Sequence, residues 1–428
     1  MKLEVGKVRV NDVQFGEKTC IENHVLYVNA QEIIDLVMQD DRLASCTVDL
    51  ARPGESVRIA PVKDVIEPRL KISGPGNIWP GVMGKVDCVG EGVTYAMAGA
   101  AVVTVGKIVG FQEGVIDMSG EGAKYTPFSK TNNICVVFSP VEGLTTHSYE
   151  NAGRMAGMKT AAYLAKCLKD CTPDETNTYE TLPLLEQAAQ YPNLPKVGYV
   201  QMLQSQGLLH DTYYYGVDAK LILPTFLYPT ESMDGAITSG NCVAPGDKVT
   251  TYHQSNNPVI EDLYKEHGKT INFMGVVVTT ETVYLADKER SSNQTAKLCT
   301  QLGFDAVILT EEGFGNPDTD LMMNCKKITN QGIKVVIITD EFPGKDGKSY
   351  SLADVDKTAC AVVSAGNANS VIHLPVMDKI IGTLDYIEEQ VGGWNGCMYP
   401  DGSFDAEVCI MIGSHNEIGF SNMSCHGY

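Results

Sequence analysis

Residues 271–281 read INFMGVVVTTE, and this stretch decides the fold of the second half of the chain. Its nearly continuous apolar run over 271–279 is typical of a strand that is buried on both faces of a sheet. Helical patterns over 286–302 and 316–332 alternate with further apolar runs over 306–310 and 334–339. Because strand and helix alternate, we expect a mostly parallel sheet covered by helices.

The part of the chain before this region has a different character. Short β-prone runs separated by turn residues occupy the stretch to about residue 143. A helix capped by Ser148 is predicted to run to about residue 170, followed by a polar connection over 172–195 and strands over 197–202 and 221–223. A chain of 428 residues is too long for one ordinary core. The predicted fold class is therefore α/β, divided into a β-rich N-terminal domain over 1–145, an α/β segment over 146–241 and an α/β domain over 242–428.

Composition excludes several classes of function. The chain has 33 basic and 53 acidic side chains, and a net charge of −20 disfavours nucleic acid and anionic lipid as partners. The longest uncharged, mostly apolar run, over 93–105, is shorter than the roughly 20 residues that span a bilayer. The charged start, MKLEVGKVRV, is unlike a signal peptide, so we expect a cytoplasmic protein. The 13 cysteines form no C-x-x-C motif, and no structural metal is expected.

Polar residues follow three of the predicted strands, as Thr279-Thr280-Glu281, Thr310-Glu311-Glu312 and Thr339-Asp340-Glu341. Ligands of open α/β sheets bind beyond the carboxyl ends of the strands, where these triplets would lie. Polar residues also end strands simply because the backbone there needs hydrogen-bonding partners. Gly313-Phe314-Gly315 lacks the third glycine of a dinucleotide motif, so NAD is not expected. His415, just after a predicted strand over 408–412, is a further candidate for this cleft.

The segment TSGNCVAPGDK, over 238–248, places Cys242 among small, turn-forming residues where the chain changes to regular strand and helix alternation. Most such loops only join domains. Specific chemistry is nevertheless available, because a thiolate can attack the carbonyl carbon of the preceding residue if the fold distorts that peptide bond. Elimination would then break the chain, and hydrolysis of the resulting dehydroalanine would leave a pyruvoyl group. Gly240 supplies a permissive backbone for such a turn.

Three stretches together carry a resemblance to a known family: TSGNCVAPGDK, NPVIEDLYKEHGKTINFMGVVVTTE over 257–281, and GSHNEIGFSNMSCHGY over 413–428. They resemble the proprotein subunit of component B in the glycine, sarcosine and betaine reductase family, over essentially the whole chain. Members of this family are cut at an Asn-Cys bond, which the resemblance assigns to Asn241 and Cys242.

The resemblance implies an oxidoreductase subunit with a covalent pyruvoyl group derived from Cys242. The pyruvoyl carbonyl would bind the amine of an amino acid as a Schiff base, as pyridoxal phosphate does. A selenocysteine-containing component B subunit would then displace the activated nitrogen, and the component A selenoprotein, with electrons from thioredoxin, would lead to acetyl phosphate and ammonia. A hetero-oligomer is expected. A nucleotide-dependent α/β enzyme and a non-catalytic, uncut scaffold subunit are the alternatives.

The substrate is predicted to be glycine, with sarcosine as the next candidate. Both amines can condense with a carbonyl, whereas the quaternary nitrogen of betaine cannot. Betaine would require an aromatic cage that holds the cation. Tyr213, Tyr214, Tyr215 and Tyr228 could be interpreted as one, but consecutive tyrosines on a strand point to opposite faces, and ordinary packing explains them better.

Overall fold

The computed structural model describes residues 1–207, 209, 212–240 and 243–421 and the backbone of residues 424–425. In the first part of the chain the strands are β1 Lys2–Arg9, β2 Asp12–Phe15, β3 Cys20–Glu22, β4 Val25–Val28, β5 Leu43–Ala51, β6 Val57–Ile66, β7 Arg69–Ser73, β8 Gly92–Ala98, β9 Ala100–Val105, β10 Gly114–Asp117 and β11 Asn132–Pro140. The later strands are β12 Glu175–Glu180, β13 Lys196–Gln204, β14 Tyr213–Tyr214, β15 Val217–Asp218, β16 Thr225–Leu227, β17 Ile237–Thr238, β18 Asn272–Glu281, β19 Ala306–Thr310, β20 Lys334–Glu341, β21 Val362–Asn367, β22 Val371–Leu374, β23 Lys379–Gly382, β24 Phe404–Glu407 and β25 Ser424–Cys425.

The helices are α1 Ala30–Val37, α2 Thr146–Ala165, α3 Leu184–Gln190, α4 Pro229–Met233, α5 Thr251–Ser255, α6 Pro258–Glu266, α7 Leu285–Gln301 and α8 Asn316–Thr329. Among the described residues, no helix combines the length and the apolar character needed to cross a lipid bilayer.

The second half of the chain forms the predicted sheet, with strands in the order β16-β18-β13-β19-β20-β21-β25. The five strands from β18 to β21 run parallel, whereas β16 and β25 are antiparallel strands at the two edges. The parallel pairing brings the carboxyl ends of β18, β13, β19 and β20 to one edge of the sheet. The predicted α/β fold with a mostly parallel sheet is confirmed.

Both faces of this sheet are covered, which explains the continuous apolar pattern of β18. Val277 faces a core that includes Leu321 of α8, whereas Val276 and Val278 face a second core shared with α6. The second core also contains Leu3 and Val5 of β1. The N-terminal β-region therefore packs directly against the second half of the chain.

The β-rich N-terminal region is also confirmed. Its largest sheet has the order β10-β6-β9-β11-β5, with α2 packed on one face, and every residue of β6 is buried. Strand β23, from far along the chain, pairs with β6 in parallel. A further sheet has the order β12-β1-β8-β7.

Several local expectations are corrected. Thr145 caps α2 by accepting a hydrogen bond from the N–H of Ser148, so the cap lies three residues before the predicted one. The stretch over 172–195 is not a mere connection, because it contains β12 and α3. Residues Ala219–Leu221 and Val408–Ile410 form 3-10 turns where strands were expected. The sequence could not distinguish these elements, because a mostly polar strand and a single turn with apolar residues both lack a clear hydrophobic period.

The sheets cross the limits predicted at residues 145 and 241. Strand β12 joins β1, and β13 lies between β18 and β19. The three-domain division itself remains a prediction.

Candidate active site

The polar triplets at the strand ends meet at the carboxyl edge of the parallel sheet. Glu281, Glu311, Glu312 and Asp340 are all fully or almost fully buried there. The backbone N–H of Glu312 donates to Oε1 of Glu281 at 2.8 Å, and Oγ1 of Thr339 donates to Oε1 of Glu311 at 2.8 Å. These residues form an acidic edge, a name used below for Glu281, Glu311, Glu312 and Asp340.

Burial controls the protonation of this acidic edge. It raises the pKa of Glu281 and of Glu311 well above the ordinary value for glutamate, and neighbouring carboxylates reinforce the shift. It raises the pKa of Glu312 to about 7, although a backbone N–H and the nearby Lys248 oppose the change. The edge can therefore hold protons near neutral pH, which suits acid–base chemistry.

The segment that follows residue 242 lies inside this site. Gly246 donates its N–H to the carbonyl of Cys409 at 2.8 Å, and Pro245 accepts from the N–H of Gly413 at 2.9 Å. Further along, the N–H of Val249 donates to Oε1 of Glu312 at 2.9 Å. The C-terminal loop and the end of β19 thus hold residues 245–249 in a fixed path.

His415 connects this segment to the acidic edge. Its Nδ1 lies 2.7 Å from Oδ1 of Asp247 and also contacts the carboxylate of Asp340, and all three side chains are buried. Burial opposes the charged imidazole, but the two carboxylates outweigh it and hold the pKa of His415 well above its ordinary value. The ring lies against Gly246, where a Cβ would come within 1.9 Å of Nε2. Only glycine fits at that position.

One group of side chains in the described part of the chain is close enough to hold a metal ion. It consists of Asp247, Asp340 and His415, whose potential ligand atoms all lie within 4.8 Å of one another. The 2.7 Å between Oδ1 of Asp247 and Nδ1 of His415 is an ion-pair distance, although neither atom makes an aligned hydrogen bond among the described residues. Two ligands of a tetrahedral zinc ion would stand about 3.3 Å apart. The geometry is therefore that of a buried ion pair, closer than two zinc ligands would stand.

A cleft of about 280 Å³ opens beside this cluster. Val243 and Asp247 form part of its wall, together with Phe314 and the side chains of Gln112, Gln204 and Gln206. The loop Gly313-Phe314-Gly315, which the sequence left as a turn before a helix, lies at the N-terminus of α8 and borders this cleft.

The predicted cleavage residues, Asn241 and Cys242, lie outside the described residues. On both sides of them the chain is buried: Ser239 and Gly240 precede them, and Val243 and Ala244 follow with exposures of 5% and 8%. Ser239 is also held by a hydrogen bond from its N–H to Oγ1 of Thr251 at 3.1 Å.

The tyrosines considered as a cage have other partners. The guanidinium of Arg154 lies 4.0 Å from the ring centre of Tyr213, and the hydroxyl of Tyr215 donates to Glu231 at 2.6 Å. Sequence reasoning missed the three cleft glutamines and the role of Asp247. Only the position of Asp247, five residues after Cys242, could have indicated it.

Comparison with known proteins gives a consistent picture. The family model of glycine/sarcosine/betaine reductase component B subunits matches residues 1–426. The chain is 65% identical to a sarcosine reductase complex component B subunit alpha of Peptoclostridium acidaminophilum, and the match covers 100% of both chains. It is 59% identical to the glycine reductase complex component B subunits alpha and beta of Acetoanaerobium sticklandii, again over 100% of both chains. Identity to a betaine reductase complex component B subunit alpha of P. acidaminophilum is 39% over 98% of each chain. No solved structure matches.

Proposed function

The chain belongs to the glycine/sarcosine/betaine reductase component B subunits, and from this premise we propose that it is the pyruvoyl-bearing subunit, cut between Asn241 and Cys242. The observation that carries the proposal is the position of Val243 in the wall of the cleft. A reactive group formed at residue 242 would be bonded directly to this lining residue.

The surroundings of residue 242 support self-cleavage rather than cutting by a protease. A protease must bind several residues of extended chain around the bond, and here Ser239, Gly240, Val243 and Ala244 are all buried. The fragment after the cut is also held by the C-terminal loop through Pro245 and Gly246. The new N-terminus would therefore stay in place.

The proposed cleavage balances without an added oxidant. The thiolate of Cys242 attacks the carbonyl carbon of Asn241, the peptide C–N bond breaks, and the nitrogen takes a proton. Loss of the α-proton of residue 242 and breakage of its Cβ–S bond leave the sulfur on Asn241, from which water releases it as hydrogen sulfide. A second water releases ammonia from residue 242 and leaves the keto group. Glu312, whose pKa burial raises to about 7 and which accepts from the N–H of Val249, is a described carboxylate of this site that could take up a proton.

A pyruvoyl carbonyl supplies an electron sink that binds an amine covalently and makes its nitrogen a better leaving group. The residues of this chain would fix that amine, because Asp247 offers a carboxylate in the cleft wall. A positively charged substrate nitrogen would be stabilised in this field.

The partners are proposals of the same kind. The chain has no paired-thiol motif for reduction, so we propose that a selenocysteine-containing component B subunit acts on the bound substrate. The component A selenoprotein and thioredoxin would then complete an acetyl-phosphate-forming reaction. The 13 cysteines favour a reducing compartment, and the cytoplasm is the proposed location.

Glycine is the substrate proposed from the sequence, and sarcosine is the second candidate. The identity to the sarcosine reductase subunit is higher than that to the glycine reductase subunits, which favours sarcosine. The two substrates differ by one N-methyl group. Labelling the cut protein with each amine under borohydride reduction and comparing the concentrations for half-maximal labelling of residue 242 will decide between them.

Self-cleavage predicts two fragments, 1–241 and 242–428, on a denaturing gel of the active protein. The second fragment should resist Edman degradation, because a keto group replaces its amine. Cys242→Ala should fold but remain one band and take up no amine. Intact mass spectrometry of both pieces measures the outcome directly.

Cys360→Ala is the matched control, since Cys360 is an exposed thiol elsewhere, and it should be cut like the natural chain. A single full-length chain in active material would contradict the proposal. So would cleavage of Cys242→Ala at the normal rate.

A further inference from the structure

The cleft lined by Val243 contains two buried polar atoms that no described residue pairs by a hydrogen bond. Nε2 of Gln206 and Oε1 of Gln112 have no hydrogen-bond partner among the described residues. One is a donor and the other an acceptor, and both side chains line the same cleft. A buried amide group without a partner is costly, so native proteins rarely leave one unless water or a ligand completes it.

The backbone around the glutamines is held in place. Oε1 of Gln204 accepts the N–H groups of Ser205 and Gln206 at 3.1 and 3.4 Å, which fixes the turn that carries Gln206. The segment that carries Gln112 is held as well, because the carbonyl of the neighbouring Phe111 accepts from Nε2 of Gln390 at 3.1 Å. Hydrogen bonds thus fix the backbone next to both glutamines.

The charges of the cleft restrict what can occupy it. Its described lining includes Asp247 but no lysine, arginine or histidine. A simple anion would find no positively charged side chain in this described lining, and a simple cation would leave the Gln206 donor unmatched. A dipolar ligand satisfies both amides, with a cationic nitrogen near Asp247 and the Gln112 oxygen and a carboxylate at the Gln206 NH₂ group.

We propose that Gln206 binds the carboxylate of a small zwitterionic amino acid, while Gln112 and Asp247 receive its nitrogen. The inference rests on the proposed function, in which that nitrogen reacts at residue 242. The volume of about 280 Å³ lies just below the roughly 300–1,000 Å³ typical of small-molecule sites, which suits a substrate of few atoms. Neutral amide donors also bind the carboxylate without placing a positive charge beside the cationic nitrogen.

The test compares glycine with ethylamine, which replaces the carboxylate by a methyl group. The cut protein is incubated with each labelled amine, reduced with borohydride, and the concentration for half-maximal labelling of residue 242 is measured. Gln206→Leu should raise this concentration about ten- to a hundredfold for glycine, as expected for losing one hydrogen bond to a charged group, and leave ethylamine unchanged. Gln301→Leu, on the exposed end of α7, is the matched control and should alter neither.

Binding without the reactive group provides a second readout. Saturation-transfer NMR of glycine with the uncut Cys242→Ala chain should show a signal that is lost when Gln206→Leu is added. If Gln206→Leu does not fold, the isosteric Gln206→Glu should weaken glycine in the same way by repelling its carboxylate.

The outcomes separate the two proposals. Labelling by no amine at all would overturn the pyruvoyl function itself. If labelling occurs and the Gln206 variants keep the wild-type ratio between the half-maximal concentrations of glycine and ethylamine, only the role of Gln206 would be overturned.

Discussion

His415 is a buried histidine in contact with two carboxylates. It lies between Asp247, which follows the proposed cleavage site, and Asp340, at the end of β20, so one imidazole links the segment after residue 242 to the sheet. Phe342 packs edge-on against its ring with centroids 5.6 Å apart. We therefore regard His415 as a positioning residue for the segment that begins at residue 242.

Replacing His415 with Asn should destabilise the protein in a pH-dependent way. The carboxylates raise the pKa of His415 in the folded state, so its stabilising contribution is complete below the unfolded value of 6.5 and is lost as pH rises through the folded value. Removing one partner of a buried ion pair costs about 3–5 kcal/mol. The melting temperature of His415→Asn should therefore lie below that of the natural chain. This difference in melting temperature should be largest near pH 6 and smaller in alkaline buffer.

Two further variants show whether the loss of stability comes from the charge of His415 or from the packing of its ring. His147→Asn removes an exposed histidine and should leave the unfolding curve almost unchanged. Gly246→Ala keeps the histidine but pushes its ring aside, so it should lower the stability without removing the titrating group. A stability gap that stays constant with pH would contradict the histidinium assignment.

Residue chemistry was only partly predictable from the sequence. The resemblance assigned Cys242 and Asn241, and the triplets pointed to Glu311 and Asp340. Gln112 and Gln206 could not be predicted, because a glutamine has no spacing signature and the two residues are brought together only by the fold.

At the scale of elements, the parallel strands explain why so many carboxyl groups share one edge. Because β18, β19 and β20 run in the same direction, each places its terminal triplet at the same end of the sheet. The order of the helices and strands from residue 257 to residue 341 was predictable, since each element carries its own apolar period. The insertion of β13 between β18 and β19 was not, because strand pairing depends on contacts distant in the sequence.

The acidic edge should cost stability at neutral pH, and Glu311→Gln tests this. Burial raises the pKa of Glu311, so the folded state holds its proton more tightly than the unfolded state. Stability is therefore lost as pH rises from the ordinary value of 4.5 towards the folded value, and the loss persists above it. The glutamine keeps the hydrogen bond from Thr339 through its oxygen and can donate to neighbouring carboxylates. We expect Glu311→Gln to gain about 1–3 kcal/mol in alkaline buffer.

Denaturant unfolding from about pH 5.5 to about pH 8.5 measures this gain, which should grow with pH. The control is Glu289→Gln on the exposed side of α7, which should show no such trend. A Glu311→Gln variant that is less stable than the natural chain throughout the range would show that the carboxylate is stabilised by a partner instead.

At the scale of the whole molecule, the two expected fragments are interleaved rather than adjacent. Strands β13 and β16, before residue 241, lie in the sheet built mainly from later strands, and β23 of the later part joins the N-terminal sheet by pairing with β6. Side chains from both parts share one buried core, as Leu3 and Val276 do. The change in sequence character at residue 241 thus does not mark a boundary between sheets, because the sheets contain strands from both sides of it.

This interleaving predicts that cleavage leaves one folded unit. Separating 1–241 from 242–428 would break the pairing of β13 on both of its sides and expose the shared core, so the fragments should dissociate only on unfolding. With an affinity tag at Met1, the 242–428 piece should be retained quantitatively under native conditions and released in about 6 M guanidinium chloride. The uncut Cys242→Ala chain, carrying the same tag, calibrates the recovery. Loss of the second fragment in native buffer would show that the shared sheet does not hold the halves together, and it would leave the assignment of the cleavage site untouched.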